Sequence, residues 1–160
     1  MDGHFIFYFG PEYEFSHWYK SNMSVDGIDF CCAGQYIMYK KALLFGDEVA
    51  AKKILRSSDP KRHRVIGKEV KAFTKDIWQQ HCMDFSFAAN FAKFDQNENL
   101  KTKLLDTAAS ILAEASPYDR VWGIGLSMGN SDIYDRTKWR GKNLAGESLM
   151  QARNALKLRV

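Results

Sequence analysis

The chain has 160 residues, 46% of them hydrophobic and 26% charged, with a formal net charge of +4. That length makes one domain with an adequate core, and the composition excludes disordered, collagen-like and disulfide-framework classes. The charge bias is too small to demand a nucleic-acid partner, although it suits a phosphate-bearing ligand. Residues 4–9, His-Phe-Ile-Phe-Tyr-Phe, form a short apolar run suited to a buried strand. Val25-Asp26-Gly27-Ile28 predicts a turn between two short strands, because Asp-Gly supplies the positive φ that a tight hairpin needs. From there the pattern turns helical, beginning in the stretch CCAGQYIMYKKALLFGD at 31–47. Asp59-Pro60 marks a helix start, and Ile66, Val70, Phe73 and Ile77 follow at helical spacing. A long helix is expected from about Asp76 to Phe94, with Trp78, Cys82, Phe85 and Ala89 on its apolar face. Asn97 opens a further helix carrying Leu100 and Leu104, and Ile111–Ala113 suits a short strand. Ala145, Leu149, Ala152 and Leu156 line a final helix. The expected fold is therefore mainly α, one compact multihelical domain over 1–160 with a small N-terminal β element.

The N-terminal residues lack the basic start and apolar core of a signal peptide, and no run reaches the ~18 apolar residues of a membrane span. A monomer in the cytosol, with the nucleus as the alternative, is expected. Cys31, Cys32 and Cys82 are odd in number and show no CxxC spacing, and His4, His17, His63 and His81 are scattered. No disulfide framework, metal site or cofactor is expected from this pattern.

Three stretches have the residue types of a chemical site. In 31–47, Gly34, Met38, Lys41 and Phe45 share a helix face. Lys41 either carries its amine along that face to solvent or is a desolvated amine with a lowered pKa, usable as a nucleophile toward a carbonyl or a sugar C1. In 112–125, LAEASPYDRVWGIG, Glu114 and the pair Asp119-Arg120 flank a turn before Trp122-Gly123. Such carboxylates and an indole suit ribose hydroxyls and a stacked base; equally, they suit a surface ion pair beside a core tryptophan. In 139–153, Gly141-Lys142-Asn143 precedes a helix whose N-terminus favours an anion, while Asn143 also suits an ordinary cap. Ser16 and His17 add polar groups within the aromatic stretch FSHWY.

In order and wording these segments resemble the NADAR family, also called YbiA-like, over nearly the whole chain. The resemblance is carried by FSHWY, VDGIDF, QYIMYKKALLFGD, Trp78, KFDQN, EASPYDRVWGIG and WRGKNLAG. It implies hydrolysis of an N-glycosidic bond between a ribose C1 and an amine or base. Family substrates are early riboflavin-pathway intermediates or ADP-ribosylated guanine in nucleic acid. Removal of ADP-ribose from guanine is the expected reaction here, so ADP-ribosylated nucleic acid or a small ribosylamine phosphate is the expected partner; the alternative is a catalytically impaired ADP-ribose-binding module. The resemblance makes Lys41, Glu114 and Asp119 candidate catalytic groups. It places Ser16, His17, Trp18, Gln35, Tyr36, Trp78, Arg120, Trp122, Gly123, Gly141 and Asn143 in the expected substrate-binding set. Two departures stand out: Gly34 occupies the position of a family glutamate, and His17 that of an asparagine or glutamine. Gly34→Glu is accordingly expected to raise turnover by supplying the missing acid-base group.

Overall fold

A computed structural model describes residues 4–159; residues 1–3 and 160 of the expected 1–160 domain lie outside the described residues. Strand β1 (Phe5–Tyr8) pairs in parallel with β4 (Ile111–Glu114), Tyr8 opposite Glu114. β2 (Met23–Val25) and β3 (Ile28–Phe30) form the expected antiparallel hairpin, with Asp26 at φ 51° and Gly27 at φ 78° in its turn. Among the described residues six α-helices make the body: α1 (Ala33–Leu44), α2 (Glu48–Arg56), α3 (Pro60–Lys68), α4 (Lys75–Asp95), α5 (Glu98–Asp106) and α6 (Leu144–Lys157). The mainly helical architecture with a small β element agrees with the sequence expectation.

Two local expectations change. The helix expected to run through Ile77 stops at Lys68. Ala72 then takes a left-handed φ of 61°, and Asp47 Oδ2 accepts the Lys71 N–H, which fixes the backbone as a turn before α4. The helical spacing of Val70, Phe73 and Ile77 therefore joins two elements. Helix α2 was not foreseen; Asp47 caps it by accepting the Ala50 N–H at 3.0 Å.

The core has separate centres. Met23, Phe30, Ala33, Tyr36, Ile37, Trp78, Cys82 and Ala89 pack α1 against α4 and the hairpin. Leu100, Leu104, Leu112, Leu149 and Leu156 pack β4 against α5 and α6, with Tyr8 and Phe94 between them. At ~25 cal/mol per Å² of apolar surface, burial of each large side chain stabilises the domain by roughly 1.5–3 kcal/mol. The fully buried Lys93 of α4 donates its ammonium to the Glu14 and Ser16 carbonyls. It thereby holds the 9–18 loop against the helices, and burial pulls its pKa down to about 7.

Candidate active site

The C-terminal ends of β1 and β4 open into a cavity of about 730 Å³. Loop 9–18 follows β1 and loop 115–122 follows β4, so both loops emerge at the same rim. Helix α1 contributes Gly34, Ile37, Met38 and Lys41 to its wall; α3 contributes Arg64, Gly67 and Lys68, and α4 contributes Trp78. Of the expected site residues, Ser16, His17, Trp18, Gly34, Lys41, Trp78, Glu114, Asp119 and Trp122 all border this space.

Glu114 ends β4, and its position is overdetermined. Its N–H donates to Asn143 Oδ1 at 3.0 Å, and its carbonyl accepts from the Ile124 N–H at 2.9 Å. Burial, reinforced by the Asp119 carboxylate and opposed by Arg64, pushes the Glu114 carboxyl up to about 7. Asp119 spends Oδ1 on the N–H groups of Val121 (2.9 Å) and Trp122 (2.8 Å), closing the turn that presents the Trp122 indole.

Lys41 reaches the cavity from the opposite wall. Its Nζ donates to the Gly67 carbonyl at 2.8 Å and stands 4.6 Å from the Phe73 ring centroid and 5.4 Å from that of Trp78. It has no carboxylate partner among the described salt bridges, and desolvation lowers its pKa. The amine is therefore easier to deprotonate than an exposed lysine.

His17 is a different matter. Its Nε2 lies 2.8 Å from Ser86 Oγ, within a buried chain that continues to Ser148 and Asn90. Burial, with Lys93 nearby, pulls its pKa down to about 3, so the imidazole is neutral across the physiological range. It packs edge-on against Trp122 at 5.2 Å and so braces that indole. Ser16 Oγ accepts the Trp18 N–H at 3.1 Å, and the Trp18 ring lies under the Arg64 guanidinium at 5.4 Å.

Six expected substrate-binding residues lie outside the cavity lining. The buried Gln35 amide donates to the Ile54 and Ser57 carbonyls and accepts the Cys31 N–H, tying α1 to the end of α2. Tyr36 faces the core against Phe30. Arg120 is exposed. Gly123 and Gly141 are close-approach positions: a Cβ on Gly141 would meet the Gly123 carbonyl oxygen at 2.2 Å. Asn143, left-handed at φ 54°, donates from Nδ2 to the Leu112 carbonyl at 2.9 Å while bonding the Glu114 N–H. The N–H groups of Asn143, Leu144 and Ala145 donate to the carbonyls of Gly123, Val121 and Trp122. The α6 N-terminus, which the sequence suits to an anion or to an ordinary cap, spends those three donors on the chain's own loop. Asn143 serves the cavity by holding Glu114.

Sequence reasoning missed Phe9, Glu12, Arg64, Lys68 and Tyr118, which also border the cavity. Arg64 and Lys68 were findable in principle: they sit one turn apart on the helix started by Asp59-Pro60. Nothing local showed that this helix faces Glu114.

The chain matches the model of the NADAR domain over residues 6–157. It is 40% identical over 144 residues to N-glycosidase R617 of Acanthamoeba polyphaga mimivirus, covering 87% of this chain and 85% of that protein. It is 34% identical over 169 residues to Protein irg-1 of Caenorhabditis elegans, covering 95% and 79% respectively. N-glycosidase YbiA of Shigella flexneri is 29% identical over 143 residues, covering 89% of this chain and 81% of that protein. The NMR structure of E. coli YbiA superposes with a TM-score of 0.80 at 26% identity, covering 99% of this chain and 88% of that one.

Proposed function

The chain belongs to the NADAR family, and on that premise we propose that it is an N-glycosidase acting in the cavity between α1, α3 and the end of β4. The observation that carries this reading is Glu114: a half-buried carboxyl at the end of β4, pushed up to about 7 by desolvation beside Asp119 and facing Arg64. A group with that pKa is available at neutral pH both as an acid and as a base. In the protonated form it donates its proton to the departing nitrogen as the C1–N bond breaks. The remaining carboxylate, with Asp119, stabilises the positive charge developing at C1. Water then adds its hydroxide to C1, and its proton returns to Glu114, so the sum of the steps is one water consumed. The N-glycosidase names of R617 and YbiA support this class of bond.

Lys41 supports a second route through the same cavity. Its amine, with lowered pKa, adds to C1 of the ring-opened sugar and expels the amine or base, which breaks the C1–N bond and leaves an imine on the lysine; one water then hydrolyses that imine and releases the sugar. In either route the indoles of Trp78 and Trp122 offer stacking faces. Arg64 and Lys68 offer the cations that a phosphorylated ribose requires. A cavity of about 730 Å³ has room for a nucleotide sugar, which favours ADP-ribose on guanine over a small ribosylamine phosphate.

One observation favours the binding-module alternative. Gly34 supplies no carboxylate, and the Trp18 ring fills the space above it. Incubation with an oligonucleotide carrying ADP-ribosyl-guanine separates the readings. Release of free ADP-ribose and unmodified guanine supports the enzyme, and a retained complex without release supports the binder. If neither occurs, while a riboflavin-pathway ribosylamine phosphate is cleaved, the guanine assignment falls and the N-glycosidase stands.

A further inference from the structure

Two thiols and an imidazole that the candidate active site does not use converge behind its wall. The sequence spacing of Cys31, Cys32 and His63 resembles no metal motif, because His63 arrives two helices later, in the first turn of α3. Among the described residues, these three bring one ligand atom each to within 4.8 Å of one another. All three cysteines of the chain are free thiols.

The local hydrogen bonds prepare the group for a cation. His63 Nε2 lies 2.6 Å from the Ser57 carbonyl oxygen, which can only accept, so Nε2 carries the proton and Nδ1 presents its lone pair. Nδ1 faces Cys32 Sγ at 3.9 Å. An imidazole whose second nitrogen is held by a backbone carbonyl is the outer-shell arrangement of a histidine metal ligand. Tetrahedral zinc, with bonds of about 2.3 Å to sulfur and 2.0–2.1 Å to nitrogen, places the S and N ligands about 3.6 Å apart. The observed separation needs only a few tenths of an ångström of closure. Cys32 Sγ already accepts the Gln35 N–H at 3.4 Å, which fixes the sulfur at the N-cap of α1. Cys31 borders a second cavity of about 600 Å³ with Asn22, Ser57 and Gln96, so a fourth coordination position is open to water.

We propose that Cys31, Cys32 and His63 bind one zinc ion, with water from the second cavity as the fourth ligand. Binding releases two thiol protons to solvent, and the resulting two thiolates, one neutral imidazole and Zn²⁺ sum to zero charge, which suits a largely buried site. The ion joins the N-cap of α1 to α3. Those helices carry Gly34 and Lys41, and Arg64 and Lys68, so the ion acts as a clamp on one wall of the first cavity rather than as a catalyst. The proposal is independent of what that cavity hydrolyses.

The test uses the full chain, reduced, freed of metal by a chelator and titrated anaerobically with Co²⁺ and then Zn²⁺. One equivalent of Co²⁺ is expected to give sulfur-to-cobalt charge-transfer absorption with the visible bands of a four-coordinate ion, both abolished by Zn²⁺. Saturating Zn²⁺ is expected to raise Tm by about 5 °C or more. Cys31→Ser, at a half-buried position, is expected to weaken Co²⁺ binding at least about tenfold and to lose part of the charge-transfer intensity. His63→Gln, which keeps a donor for Ser57, is expected to weaken binding similarly; if it fails to fold, Cys31→Ser alone decides. Stoichiometric Co²⁺ without a sulfur band, or affinity unchanged in Cys31→Ser, overturns the site. Uptake of Cu⁺ with neither Co²⁺ nor Zn²⁺ bound overturns the zinc assignment.

Discussion

Gly34 and Trp18 compete for one volume: a Cβ on Gly34 would lie 2.3 Å from Cζ3 of the Trp18 indole. Alanine is the better helix former by about 1 kcal/mol, yet forcing the ring aside costs ~1–3 kcal/mol. Gly34→Ala is therefore expected to be destabilised by about 1 kcal/mol in urea unfolding, and adding Trp18→Ala should recover most of that loss. Equal midpoints for Gly34→Ala and the parent would show that the indole moves freely. The contact also revises the expectation for Gly34→Glu. The single variant displaces Trp18 and is expected to gain no rate, whereas Gly34→Glu with Trp18→Ala should raise single turnover by at least about tenfold.

Glu114 sets a pH signature. Glu114→Gln is expected to lower the single-turnover rate by ~10²–10⁴ with ligand affinity little changed. In the parent the rate should fall as pH rises through about 7, where the donor proton is lost. Asp119→Asn removes a repulsion and should move that inflection down; Arg64→Gln removes an attraction and should move it up. Opposite shifts in the two variants are the outcome a merely structural role would not produce.

The same carboxyl has a stability consequence. Its folded pKa of about 7 lies above the ordinary value of 4.5, so between those values the native state binds more protons than the unfolded chain. Its contribution is fully present below about pH 4.5 and is lost as pH rises through 7. Glu114→Gln should therefore raise Tm, relative to the parent, more at pH 8 than at pH 4. The opposite order would show that the carboxyl is not raised.

Lys41 distinguishes the two chemical routes. If it forms the imine, borohydride added during turnover should fix the sugar on this residue, detectable by peptide mass spectrometry. Lys41→Arg keeps the positive charge facing Phe73 and Trp78 but cannot make that bond, so trapping should vanish. A fully active arginine variant would leave Glu114 and Asp119 as the acting groups.

Asn143 is expected to fail by a different route. Its side chain is buried and satisfies both the Leu112 carbonyl and the Glu114 N–H. Asn143→Ala leaves both without partners, at a cost of roughly 2–4 kcal/mol. A large drop in Tm is the expected result. An unchanged Tm with weakened ligand binding would instead return Asn143 to the substrate-binding set.

Much of the fold was legible because its signals are local. Asp26-Gly27 can take the positive φ of a hairpin, Asp59-Pro60 starts a helix, and the apolar spacing of Trp78, Cys82 and Ala89 marks the face of α4. The inward lysine and the Glu114–Trp122 stretch were visible as unusual residue types in apolar patterns, and both border the cavity. What failed locally was the extent of α3, since a left-handed Ala72 and a side-chain bond from Asp47 are not written in periodicity.

The tertiary structure alone decided what faces what. β1 and β4 are about a hundred residues apart in the chain, and only their parallel pairing sets Tyr8 beside Glu114 and brings loops 9–18 and 115–122 to one rim. That pairing half-buries Glu114, and desolvation, reinforced by the Asp119 carboxylate, raises its pKa. The same long-range packing consumes Gln35 and Asn143 as braces and brings His63 onto two cysteines. By itself the sequence determined which groups with chemistry exist and on which local elements they ride. Their partners, and with them their protonation states, depend on distances and desolvation that arise only when the helices close around the strand pair.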